Sequence, residues 1–166
     1  MQRVQDPALR SLAEVERAPF MAGVRFSGRS LAELPVKVAD RARWREEWFA
    51  ATVKYLEDCQ FILLDPDTGL RENDNFRPTL PEHLKYTPLS EVEHLREGRT
   101  LMIYHHHAHV ANVTESWMAR LRPNVMAIRF AAESATRSFF IVNPTADMRI
   151  RARNWAERWP HARLVE

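Results

Sequence analysis

Four apolar residues, Phe61-Ile-Leu-Leu64, run straight into Asp65-Pro66. A continuous apolar run of this length predicts a β-strand buried on both faces, and the proline stops it. What precedes it reads differently. Asp40 has the chemistry of a helix cap, and Trp44, Trp48, Phe49, Val53 and Leu56 follow at helical spacing, which predicts a helix over about 41–58. A helix leading into a buried strand is the start of an alternating α/β chain rather than of a bundle or a sandwich.

The alternation continues. Residues 71–86 carry Pro78 and Pro81 and read as a long loop, a place where function often sits. Thr87-Pro88 then opens a helix with Leu89, Val92 and Leu95 on one face, Thr87 as its cap, Pro88 at its first position and Gly98 beyond its end. Thr100-Leu-Met-Ile-Tyr104 is the next buried strand, and His105-His-His-Ala-His109 follows it directly. A helix over 112–121 is closed by Pro123. Val125–Phe130 and Arg137–Val142 are spaced as an antiparallel hairpin. Asn143-Pro144-Thr145 starts a last helix whose stripe is Met148, Ala152, Trp155, Ala156 and Trp159.

The order from Asp40 is α-β-α-β-α-β-β-α. It predicts a three-layer, Rossmann-like mixed sheet, with parallel core strands and a C-terminal antiparallel hairpin. Residues 1–39 read as an irregular lead-in, with a short helix over 7–15 and a short strand at Val24–Phe26, and 40–166 as a single α/β domain. The first strand needs a partner on its outer edge, from Val24–Phe26 or from a second subunit, so a homodimer through an open sheet edge is one expectation.

Composition narrows the function classes. The chain has 166 residues, 45% hydrophobic and 28% charged, the balance of a globular domain. Cys59 is the only cysteine, so neither an internal disulfide nor a cysteine zinc cluster is encoded, and a reducing, cytoplasmic setting is expected. No stretch reaches the roughly 18 apolar residues of a membrane span, and Met1–Asp6 lack a signal-peptide layout. Net charge is +2, with Lys only at 37, 54 and 85. Such a balance argues weakly for nucleic acid, and a solvated Arg-rich surface is the plainer reading.

Three polar motifs carry the candidate chemistry. Asp65 and Asp67 flank Pro66 at the end of a predicted strand, where ligands of α/β sheets bind. Held close, two carboxylates can bind a divalent metal, orient an amine or act as a general base, whereas the plainer reading is a turn closed by Gly69. The histidines leave the neighbouring strand on the same sheet edge, His105 and His107 pointing one way and His106 the other. They are metal ligands, proton carriers or exposed loop residues. Lys85 and Tyr86 precede a helix N-terminus that favours a phosphate or carboxylate. The five Trp residues read as core and Cys59 as a buried, inert thiol.

These motifs together resemble a family of uncharacterised bacterial and phage-associated proteins. Its pattern is an Asp-Pro-Asp-Asn-Gly-Leu strand end, a Lys-Tyr pair, and a strand ending in Tyr-Gln-His. Here they stand as Asp65-Pro66-Asp67-Thr68-Gly69-Leu70, Lys85-Tyr86 and Tyr104-His105-His106, with departures at Thr68 and His105. The resemblance spans about residue 20 to the end, favours His106 as the functional histidine, and brings no activity with it. Family members usually carry additional N-terminal sequence.

The element order also looks like the C-terminal half of Rossmann-like methyltransferases, in which Asp/Asn-Pro-Pro-aromatic ends a strand and holds the target amino group. Asp65-Pro66-Asp67 takes that place without the second Pro or the aromatic. No Gly-x-Gly turn follows an early strand, so the usual S-adenosylmethionine cradle is not encoded. The resulting expectation is a methyltransferase-related domain that binds or acts on a nucleotide or nucleic-acid component. Asp65, Asp67 and His106 would carry the chemistry, and Lys85, Tyr86, Tyr104, His105 and His107 would hold the ligand. Alternatives are a nuclease or phosphohydrolase using a divalent metal, and a non-catalytic protein-binding domain.

Overall fold

The computed structural model describes residues 16–27, 31, 34–35, 37–107, 112–132 and 135–166. The helix expected over 7–15 and His109 lie outside them. The chain divides into two compact units, 1–30 and 31–166. In the first, Pro19–Met21 form a single 3-10 turn, and Val24–Phe26 are not a strand.

In the second unit, α1 (Val38–Tyr55) leads through Leu56 to β1 (Phe61–Leu64). Two short strands follow, β2 (Gly69–Arg71) and β3 (Tyr86–Pro88), and then α2 (Leu89–Leu95) and β4 (Thr100–His106). After α3 (Val113–Leu121) come β5 (Val125–Ala132), β6 (Ala135–Val142), α4 (Ala146–Arg158) and β7 (Ala162–Val165). The fold is mixed α/β, with one five-stranded mixed sheet in the order β1-β4-β6-β5-β7. β2 and β3 form a separate parallel pair.

The expected parallel core shrinks to one pair. β1 and β4 are parallel, joined through α2, but β4–β6, β6–β5 and β5–β7 are all antiparallel. The hairpin forms as expected, its ladder running out to Ala132 opposite Ala135, and its second strand is the one that joins β4. β7 was not foreseen. The last helix ends at Arg158 rather than continuing through Trp159, and the chain returns along β5.

Two apolar clusters sit on the two faces of the sheet. Val92 and Leu95 of α2, Met118 and Leu121 of α3, and Phe49 and Val53 of α1 pack with Leu101, Ile103, Phe140 and Ala127. Ala152 and Ala156 of α4 pack with Met126, Ile128 and Ile141 on the other face. Alternation along β4 places Leu101 and Ile103 in the first cluster and Met102 in the second.

Several helix ends differ from expectation for local reasons. Asp40 lies inside the first turn of α1, which begins at Val38, so it favours the dipole rather than capping. Thr87 and Pro88 belong to β3. The α2 donor Ser90 N is taken by Asn73 Oδ1 at 2.8 Å, from the middle of the presumed loop. That loop is held down elsewhere too: Arg41 Nη1 donates to Thr79 O at 2.8 Å, and Arg77 N donates to His83 Nδ1 at 2.8 Å. Thr145 does cap α4, accepting from Met148 N at 3.2 Å. Arg45 is the least expected core residue. It is buried on α1, forks onto Glu91 of α2 at 2.8 and 2.7 Å, and lies over the Trp48 ring at 4.7 Å. A buried, bidentate pair of this kind locks two helices in one relative position.

Candidate functional site

The three sequence motifs meet in space, and main-chain hydrogen bonds join them. Asp65 and Pro66 leave the end of β1. Two residues later, Thr68 N donates to Lys85 O at 2.9 Å, and Thr68 O accepts from His106 N at 3.1 Å. Residue 68 thereby ties the Lys85-Tyr86 segment to the end of β4. Gly69, at φ +124°, is required here. A Cβ on it would lie 2.3 Å from Nδ1 of His105 and 2.9 Å from the His105 Cα.

The histidines divide by strand alternation, as expected. His105 faces the helices α1–α3 and His106 faces the other side. His105, only 7% exposed, accepts from Leu70 N at 2.9 Å through Nδ1, which fixes its proton on Nε2. Its ring lies 5.4 Å from Trp117 and 6.1 Å from Phe140. Burial, with His107 and His106 nearby, pushes its pKa down to about 4. His105, expected from sequence to hold a ligand, is thus a neutral, buried residue whose Nδ1 is already taken.

His107 is half-buried, its Nε2 2.8 Å from Ser138 Oγ, which in turn lies 2.8 Å from Thr114 Oγ1 of α3. Burial foremost, then Arg129 and His106, lower its pKa, while Glu115 opposes them. His106 alone of the three is exposed. Its Nδ1 lies 3.4 Å from the Tyr104 hydroxyl. Leu64 stands opposite Ile103 at the end of the β1–β4 ladder, so Asp65 leaves β1 beside the strand that carries Tyr104 and His106.

Lys85, expected to help receive an anion, is paired with a carboxylate. Its Nζ is 3.0 Å from Asp67 Oδ2, both side chains largely exposed, and the α2 N-terminus is already engaged by Asn73. Tyr86 carries the Arg71 guanidinium 4.6 Å from its ring centre. Asp67, Lys85 and Tyr86 therefore form a surface clasp beside the strand ends. Among the described residues, no three His, Cys, Asp or Glu side chains are grouped to hold a metal ion.

Sequence reasoning missed an apolar surface on the open face of the sheet. β1 is not buried on both faces: Phe61 is 42% exposed and Leu63 55%. Beside it, between the sheet and α4, a groove of about 400 Å³ is lined by residues including Phe61, Met102, Phe139, Met148, Arg151 and Trp155. Trp155, 38% exposed, stacks on Trp159 at 5.9 Å, so these two Trp residues are not core. The Tyr104 and Phe139 rings, 5.7 Å apart, connect the groove to the Tyr104–His106 pair. The available signal was the period of the last helix, in which Met148, Trp155 and the small Ala152 share one stripe. No family model, curated protein or solved structure matches the chain.

Proposed function

We propose that the domain binds a nucleotide or nucleic-acid component on the open face of its sheet and acts on it at the strand ends. One observation carries this: an apolar, aromatic-lined groove includes Phe139, whose ring meets that of Tyr104 in the Tyr104–His106 pair, and Asp65 follows the neighbouring strand β1. Ligand pockets commonly combine an apolar body with a few convergent polar groups. A base stacks on aromatic and Met side chains whatever its sequence. Its polar edge then reaches the Tyr104 hydroxyl and the His106 imidazole, a proton carrier, while the Asp65 carboxylate orients an amine or accepts a proton. The Rossmann-like and methyltransferase likeness enters through β1 and β4 alone, with Asp65 in the strand-end position of the amine-holding residue. Asp67 and Lys85 clasp the loop rather than touch the ligand.

The test is calorimetry of the full chain with nucleoside mono- and triphosphates, S-adenosylmethionine and short single-stranded DNA. Binding of at least one, weakened about tenfold by Trp155→Ala and by His106→Ala, is the expected result. Silence from all of them, or affinities that neither substitution changes, would remove the proposal.

A second reading is favoured by β1 itself. Its outer edge pairs with no described strand, and Phe61 and Leu63 stand exposed beside it without a charged residue in the run. Such an edge is a template for another strand. Pairing with a second copy predicts a dimer in sedimentation that Leu63→Lys dissociates. A concentration-independent monomer would count against it.

A further inference from the structure

On the face away from the groove, one polar row crosses the sheet. His105 stands opposite Ser138, Ser138 opposite Arg129, and Arg129 opposite Arg163. The row one step inward is wholly apolar: Ile103, Phe140, Ala127 and Val165. The inner half of the polar row is satisfied. His105 accepts from Leu70 N, and Ser138 lies between His107 and Thr114. The outer half is not.

Arg129 and Arg163 are directly opposed on antiparallel strands, so their side chains leave the same face at neighbouring positions. Like charges so placed destabilise a sheet. Neither guanidinium makes an ion pair or hydrogen bond with a described residue, and Arg129 Nε is fully buried without an acceptor. A buried donor left unmet is costly and rare in native folds. Among the described residues, the groups nearby do not supply the missing negative charge. His107 lies close enough for Arg129 to depress its protonation, and Glu115 acts on His107 without bonding either arginine. The first turn of α3, at Thr114, adds the positive end of a helix dipole.

We infer that Arg129 and Arg163 form an oxyanion site that takes a phosphate group, held by two guanidinium forks beside the Thr114 end of α3. Guanidinium suits this because its planar fork meets two oxygens at once and stays charged. The phosphate is either free or the terminal group of a small molecule. The site stands apart from the groove, across the sheet, and does not depend on the function proposed above.

The experiment is calorimetry and thermal melting of the full chain with inorganic phosphate, a nucleoside 5′-monophosphate and the parent nucleoside, against chloride at matched ionic strength. Phosphate is expected to bind and to raise the melting temperature. Arg129→Gln and Arg163→Gln should each weaken phosphate binding about tenfold, as loss of a charge-assisted bond implies. Arg163 is exposed, so its variant is the one expected to fold without difficulty. That variant should also melt higher than the parent in chloride alone, because the opposed like charges are gone. A mere structural arginine would not give this crossing of signs.

Equal affinity for phosphate and the monophosphate would identify free phosphate as the ligand. Tighter binding of the monophosphate, still lost in Arg163→Gln, would identify a terminal phosphate. No phosphate binding beyond chloride would overturn the site, as would phosphate binding that survives both arginine substitutions or that is lost in Trp155→Ala instead. Phosphate binding that Arg163→Gln abolishes and Trp155→Ala leaves unchanged would establish this site whatever the outcome of the groove's own test.

Discussion

The two faces of the sheet treat neighbouring histidines in opposite ways at the same strand end. His105 is pressed between Gly69, Trp117 and Phe140 and accepts a hydrogen bond from the Leu70 main-chain N–H. His106, one residue on, is exposed beside Tyr104 on the face that carries the groove. Sequence neighbours on a strand thus belong to different physical settings, one in which protonation costs stability and one in which the ring is available to a ligand. The comparison teaches that a histidine run at a strand end is two populations, separated by the pleat rather than by the sequence.

The sharpest way to break this division is at Gly69. Gly69→Ala places a methyl group against the His105 ring and backbone at a φ that L-residues avoid. Its expected cost is about 3–5 kcal/mol, overpacking and backbone strain together, or failure to fold. Urea unfolding checks it, and a cost under about 1 kcal/mol would show that the contact yields. Next comes His105→Leu, which leaves Leu70 N buried and unmet. We expect a loss of roughly 3 kcal/mol, and a smaller loss for His105→Asn, whose amide oxygen can replace Nδ1. Equal losses in the two variants would mean that the hydrogen bond is not what matters.

The pH dependence follows with its sign. The folded-state pKa of His105 is depressed from 6.5 to about 4, so the folded state binds fewer protons than the unfolded one. Its contribution is whole above pH 6.5 and is lost progressively as pH falls toward 4, amounting to roughly 3 kcal/mol. Denaturant midpoints across that window should fall in the parent and fall less in His105→Asn. The smallest effects belong to the exposed side. His106→Ala and Lys85→Ala should each change stability by less than about 0.5 kcal/mol, since neither removes a buried contact. A larger loss in His106→Ala would erase the contrast between the two faces.

Periodicity revealed much of the fold because burial is periodic. Trp48, Phe49 and Val53, then Val92 and Leu95, then Leu101 and Ile103 are apolar at the spacing their elements need. The hairpin announced itself through two β-rich runs separated by a short gap. The strand order was less accessible. A parallel or antiparallel neighbour is chosen by the whole sheet, and nothing in Phe139–Val142 says that β6 rather than β5 lies against β4. The Phe61–Leu64 run misled because apolar residues occupy exposed positions as readily as the pattern allows, and only an uncovered neighbouring face reveals it. At the site, the meeting of Asp67, Lys85 and His106 was readable from motif order and strand ends. The roles within it were not, since they depend on Leu70 N, Asn73 and Ser138, whose contacts arise only when distant segments are brought together.

The tie through Thr68 has a consequence for variation. Both of its hydrogen bonds, to Lys85 O and from His106 N, use the main chain. The tie therefore does not depend on which side chain residue 68 carries, whereas its neighbour Gly69 has no alternative of comparable fit. A saturation scan of these two adjacent positions should give near-opposite profiles, broad tolerance at 68 and almost none at 69. An Asn at residue 68 would serve the same joint, because the joint is made of main chain alone.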